Sequence, residues 1–133
     1  MLPDVKYFNY PEGKKYTSYF FDGMFCWNIQ QVPQILDQFK KLKGISIAED
    51  VACSFAVEAR SNDLHYFGES GVAIYVDYPV ADENVAVILT YQQFLEILRT
   101  YIIKYKDEFS PDKFSEIQQL YDSLRNVLLS IDC

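Results

Sequence analysis

Histidine is almost missing from this chain: His65 is the only one in 133 residues. Cysteine is scarce as well. Cys26, Cys53 and Cys133 have no metal-binding spacing, and their number is odd. These scarcities remove H-E-x-x-H and C-x-x-C chemistry, and no cofactor or metal is expected. With five glycines and five prolines there is no glycine-rich phosphate loop and no linker. No apolar run approaches the roughly 20 residues of a membrane helix, so no membrane partner is expected. Clustered positive charge is lacking too. The pI is about 4.6, and the one basic cluster, Lys40, Lys41 and Lys43, lies at a helix C-terminus where cations offset the dipole. Nucleic acid is therefore not an expected partner. The opening MLPDVKYFNY has neither the basic start nor the apolar run of a secretory signal, which makes the cytoplasm the expected location.

What remains is ordinary globular material, 50% hydrophobic and 23% charged. Its length suits a single domain over 1–133. Eleven tyrosines and ten phenylalanines serve both cores and interfaces. Cys26 and Cys53 sit in apolar contexts and read as buried thiols.

Local patterns predict an α+β fold with N-terminal helices, a three-stranded antiparallel meander and a C-terminal antiparallel helix hairpin. Tyr16, Tyr19, Phe20 and Phe21 suggest a short helix stopping at Asp22-Gly23, with Met24 to Trp27 as a link. Val32, Ile35, Leu36, Phe39 and Leu42 have helical spacing, and Gly44 is the stop. Residues 46–60 are ambiguous. Ser46 and Glu49 have the form of a capping box, whereas Val51, Cys53, Phe55 and Val57 alternate as in a strand. A helical turn at 47–51 followed by a strand at about 52–59 is the favoured reading. Val72, Ile74 and Val76 mark one face of a strand that Pro79 ends. Val85 to Leu89 reads as a strand covered on both faces. Thr90 and Gln93 form a capping box opening a helix at Tyr91. Ser110 and Pro111 open the last helix, with Phe109 and Phe114 placed for a hydrophobic staple.

Charge is the distinctive feature. Residues 49–83 hold eight acids against one base, Arg60, and account for the whole net charge of −7. A localised negative field suits a cationic partner, although acidic loops also serve simply to keep a small protein soluble. The acids expected to meet a partner are Asp63, Glu69, Asp77, Asp82 and Glu83. The expected aromatic anchors are Tyr66, Tyr75 and Tyr78 in the same segment.

Catalytic patterns fail on inspection. His65 in Asp63-Leu-His-Tyr66 has no evident nucleophile beside it. Gly68-Glu69-Ser70-Gly71 misses the G-x-S-x-G spacing and precedes a strand instead of following one. Asp82 and Glu83 are neighbours in a turn, not two carboxyls converging on a substrate. No catalytic residue is assigned, and a non-enzyme is expected. Nothing in the sequence speaks to oligomeric state.

The stretch GVAIYVDYPVADENVAVILTYQQFLEILRTYIIKY at 71–105 resembles bacterial immunity proteins. A Gly-Val strand opening, an acidic turn, a β-branched strand and a capped helix carry the resemblance. ACSFAVEA and KYTSYFFDGMF are similar to that group as well. The likeness is specifically to immunity partners of ribonuclease toxins delivered in contact-dependent growth inhibition. It implies a bacterial protein without catalysis, binding the C-terminal nuclease domain of one cognate toxin. An acidic adaptor with a non-nuclease partner is the alternative.

Overall fold

The computed structural model describes residues 2–59 and 62–131. Five strands form one sheet: β1 (Lys6–Asn9), β2 (Ser46–Ala48), β3 (Val51–Phe55), β4 (Val72–Val76) and β5 (Val85–Leu89). Their order is β1-β5-β4-β3-β2. The expected antiparallel meander is present as β3-β4-β5, and β2 extends it antiparallel to β3. β1 pairs parallel to β5, which makes the sheet mixed.

The period of two decides which face is buried. Val51, Cys53 and Phe55 pair in register with Val76, Ile74 and Val72, which in turn oppose Val85, Val87 and Leu89. This inner face joins one hydrophobic core with the helices. α1 (Lys14–Asp22) crosses it against β3, β4 and β5. α2 (Val32–Lys40) and α3 (Tyr91–Lys104) complete the layer, and α4 (Pro111–Ile131) packs against both. Phe94 is central: its ring lies 5.9, 5.3 and 5.7 Å from those of Phe21, Phe39 and Phe55.

Both predicted caps form. The Thr90 hydroxyl accepts from Gln93 N at 3.1 Å, and the Gln93 side chain accepts from Thr90 N at 3.0 Å. Ser110 Oγ accepts from Lys113 N at 3.2 Å. The short turn between α3 and α4 sets them antiparallel, and Tyr121 of α4 donates to the Leu95 carbonyl of α3 at 3.0 Å.

Several local expectations need correction. Ser46 to Ala48 is strand, not the start of a helical turn, because pairing with β3 outweighs a cap signal of one turn. β3 ends at Phe55, and 56–58 form a 3₁₀ turn that leaves Val57 exposed. Glu58 closes that turn: its Oε1 accepts from Phe55 N at 2.8 Å and Gly44 N at 2.9 Å. Gly23 does not stop the chain's winding. Residues Gly23–Trp27 continue α1 as a π-helical turn, which buries Met24 and Phe25 but leaves Cys26 exposed. Cys26 Sγ lies 2.9 Å from the Tyr105 hydroxyl. Cys53 is buried as expected, and burial pushes its thiol up to about 12. α2 ends before Leu42, which takes a left-handed φ of 61°. Cys133 lies outside the described residues.

Gly71 is required by its surroundings. Its φ is +103°, and a Cβ there would stand 2.5 Å from the Leu89 carbonyl oxygen. Gly71→Ala should cost about 1–3 kcal/mol. Thermal denaturation should show a fall of about 3–10 °C in Tm. An unchanged Tm would refute this account of the β4 entry.

Candidate functional site: the acidic end of the sheet

The strands run so that three connections meet at one end of the sheet. β3 begins there, β4 ends there, and β5 begins there. Asp77 N donates to the Asp50 carbonyl at 2.9 Å, and Lys6 N to the Asn84 carbonyl at 2.9 Å. Asp77, Asp82 and Glu83 of the β4–β5 turn are thereby brought to the same end as Glu49 and Asp50 of the β2–β3 turn. Asp4, just before β1, joins them. Glu49 and Asp50 belong to the acidic stretch but were not among the expected contact residues. Asp4 lies far outside that stretch, and only the pairing of Lys6 with Val85 brings it in.

The β4–β5 turn is held by its own backbone. Val80 N and Ala81 N both donate to the Asp77 carbonyl, at 3.0 and 3.2 Å. Asn84 Oδ1 accepts from Tyr78 N at 2.9 Å. Tyr78 is 67% exposed and Val80 39%, so apolar surface lies among the carboxylates. Asp82 and Glu83 are exposed.

The sheet's outer face continues the site. Tyr7, Ala86, Tyr75 and Ala52 form a row across four strands. The small Ala86 leaves room for the phenols of Tyr7 and Tyr75 on either side of it. Tyr75 is half-buried, and its hydroxyl is buried with no hydrogen-bond partner at bonding distance. Burial, then the neighbouring Tyr7, pushes that hydroxyl up to about 12. A crevice of about 340 Å³ opens here, lined by Pro3, Asp4, His65, Tyr75, Asp77 and Asn84 among others. His65 thus faces a tyrosine and two acids, with no serine or cysteine among the lining residues. Leu64 beside it is 64% exposed.

Asp63 and Tyr66 lie in this same loop, joined by a turn in which Tyr66 N donates to the Asp63 carbonyl at 3.1 Å. Glu69 lies elsewhere. It precedes Gly71 at the opposite end of β4, and β4 alone is about 16 Å long. The eight expected contact residues therefore fall into three groups. Asp77, Tyr78, Asp82 and Glu83 share the acidic end. Asp63, Tyr66 and Tyr75 belong to the outer face and its loop. Glu69 stands apart from both.

Asp77 is the perturbed acid. Partial burial, and secondarily the Asp50 carboxylate, raise its pKa above the ordinary carboxylate value. The native state therefore holds this proton more tightly than the unfolded chain does. Its contribution to stability is present at low pH and is lost as pH rises through the raised value. Asp77→Asn should accordingly raise Tm at pH 7, and the gain should vanish below about pH 4, where the unfolded acid is also protonated. A Tm at pH 7 equal to or below that of the unaltered protein would contradict the assignment.

Among the described residues, no group of three or more histidines, cysteines or acids could hold a metal ion. Among the same residues, no helix is long and apolar enough to cross a membrane. The site offers carboxylates rimming exposed apolar side chains, an arrangement suited to recognising a cationic surface.

A family model described as CDI immunity protein matches residues 12–121. No curated protein and no solved structure matches the chain. The matched span runs from the turn before α1 into α4 and includes every acid of the sheet end except Asp4. On that match, the chain belongs to the family of CDI immunity proteins, the toxin-neutralising partners of contact-dependent growth inhibition.

Proposed function

We propose that this protein, acting in the cytoplasm, neutralises a cognate toxin whose C-terminal domain is a basic nuclease. It does so by covering the nuclease's RNA-binding or active site with the acidic end of its sheet. The observation that carries the reading is the convergence of Asp4, Glu49, Asp50, Asp77, Asp82 and Glu83, drawn from separate connections, on one end of the sheet. A site that cleaves RNA must manage phosphate charge with cationic groups, and a fixed set of carboxylates complements it. Exposed Tyr78, Val80 and Leu64 supply apolar contact within the acidic field. Tyr66 and Tyr75 stiffen the outer face beneath them, and Asp63 extends the field along the loop. Glu69, at the far end, contacts the partner only if the interface exceeds the usual total of about 1,600 Å². The protein performs no chemistry in this reading; it acts by occupancy.

The test is titration of the purified protein against the cognate toxin's C-terminal domain in an RNA-cleavage assay. Cleavage should stop at one equivalent. A complex that forms and leaves RNA cleavage intact would reject active-site blocking. A partner domain without nuclease activity would reject the nuclease assignment.

A further inference from the structure

The helical side of the molecule carries a second, oppositely charged feature. A groove of about 510 Å³ runs between α3 and α4. On α3 it is lined by Arg99, Ile102 and Ile103, which share one helix face. On α4 it is lined by Phe114, Gln118, Tyr121, Asp122 and Arg125, again a single stripe. The chain has three arginines, and both of those in the described residues line this groove. Neither takes part in the ion pairs found among the described residues, Lys41–Asp37 at 3.1 Å and Lys113–Glu116 at 3.5 Å. On a chain of net charge −7, two arginines on one groove outside those pairs call for an explanation.

Arginine's planar fork matches phosphate and carboxylate oxygens. Both guanidinium groups act electrostatically on the Tyr121 hydroxyl, so both lie within reach of one point in the groove. Asp122 and Glu96 act on the same hydroxyl with opposite sign. The local charge is therefore partly offset, and a bare anion would gain little. The remaining lining supplies a flat apolar body with its partners. Phe114 is half-buried, Ile102 is buried beneath it, and Ile103 is 56% exposed. Gln118 can donate and accept, and Asp122 can accept, as the edge of a nucleobase requires. The volume falls within the range of small-ligand sites.

We propose that the α3–α4 groove binds a small aromatic phosphate of the nucleoside monophosphate class. The phosphate lies between Arg99 and Arg125, and the ring rests against Phe114 and Tyr121. The groove shares no residue with the acidic sheet end, so this site stands or falls independently of toxin docking.

The test is NMR titration of the intact protein with AMP, adenosine and inorganic phosphate as probes. AMP should saturate with a Kd of about 1 mM or below, with shifts centred on 99–103 and 114–125. Adenosine and phosphate should each bind about tenfold more weakly. Arg99→Gln with Arg125→Gln should weaken AMP binding about tenfold or more. If that double variant fails to fold, Arg99→Lys with Arg125→Lys keeps the charge, loses the fork, and should still weaken binding measurably. Phe114→Leu should weaken AMP without altering phosphate. Absence of saturable AMP binding, equal affinity for phosphate alone, or unchanged affinity in the folded arginine variants would overturn the proposal.

Discussion

Replacing Asp77, Asp82 and Glu83 together by lysine should slow association with the cognate toxin domain about 100-fold at low salt. The three side chains occupy one turn whose backbone is held by bonds to the Asp77 carbonyl and the Asn84 side chain. None of those bonds uses a carboxylate of the three residues, so the turn should keep its shape. Opposed fields raise association from about 10⁵–10⁶ to about 10⁸–10⁹ M⁻¹s⁻¹, and reversal removes that gain. The difference should shrink as salt rises, because the Debye length falls to about 3 Å at 1 M. Stopped-flow mixing over a salt series measures both quantities, and circular dichroism checks the fold. A folded variant with unaltered rate and salt slope would eliminate the acidic end as the docking face. Lys substitution at Glu69, on the other end of β4, is the internal control and should change the rate far less.

The second large effect concerns the core. Phe94→Ala should destabilise the protein by about 3–5 kcal/mol and lower Tm by about 10–20 °C. Phe94 is fully buried, and its ring meets Phe39 and Phe55 edge-on and Phe21 at a tilt. These rings come from α1, α2, β3 and α3, so the cavity would open where four elements meet. Aromatic pairs of this kind add about 0.5–1.5 kcal/mol each beyond burial. Phe109→Ala, at the half-buried turn before α4, should cost much less. Equal losses at the two positions in chemical denaturation would show that Phe94 is not the hub of the core.

The lessons of the sequence are local ones. Thr90 with Gln93 and Ser110 with Pro111 predicted two helix starts, because a cap needs only residues within one turn. The alternation at Val72, Ile74 and Val76 predicted the buried face of β4, because the pleat itself sets that period. Ser46 to Glu49 misled for the same reason: a capping pattern is weaker than the hydrogen bonds of a paired strand, and the pairing is invisible locally. β1 carried no signal in KYFN, since two of its four residues are exposed and its identity as a strand depends on β5. Cys26 stood among buried aromatics, yet the π-helical turn of Gly23–Trp27 leaves it at the surface.

Composition and periodicity by themselves determined the α+β class, the helix hairpin, the buried faces of the central strands and the acidic character of 49–83. Each depends on contacts within a few residues or on a sum of charges. Tertiary structure alone decided that Asp4 joins the turns at 49–50 and 77–83 while Glu69 is sent to the other end. It alone set Arg99 opposite Arg125. Those neighbours are distant in sequence, and backbone pairing of Lys6 with Val85 and packing of α3 on α4 bring them together.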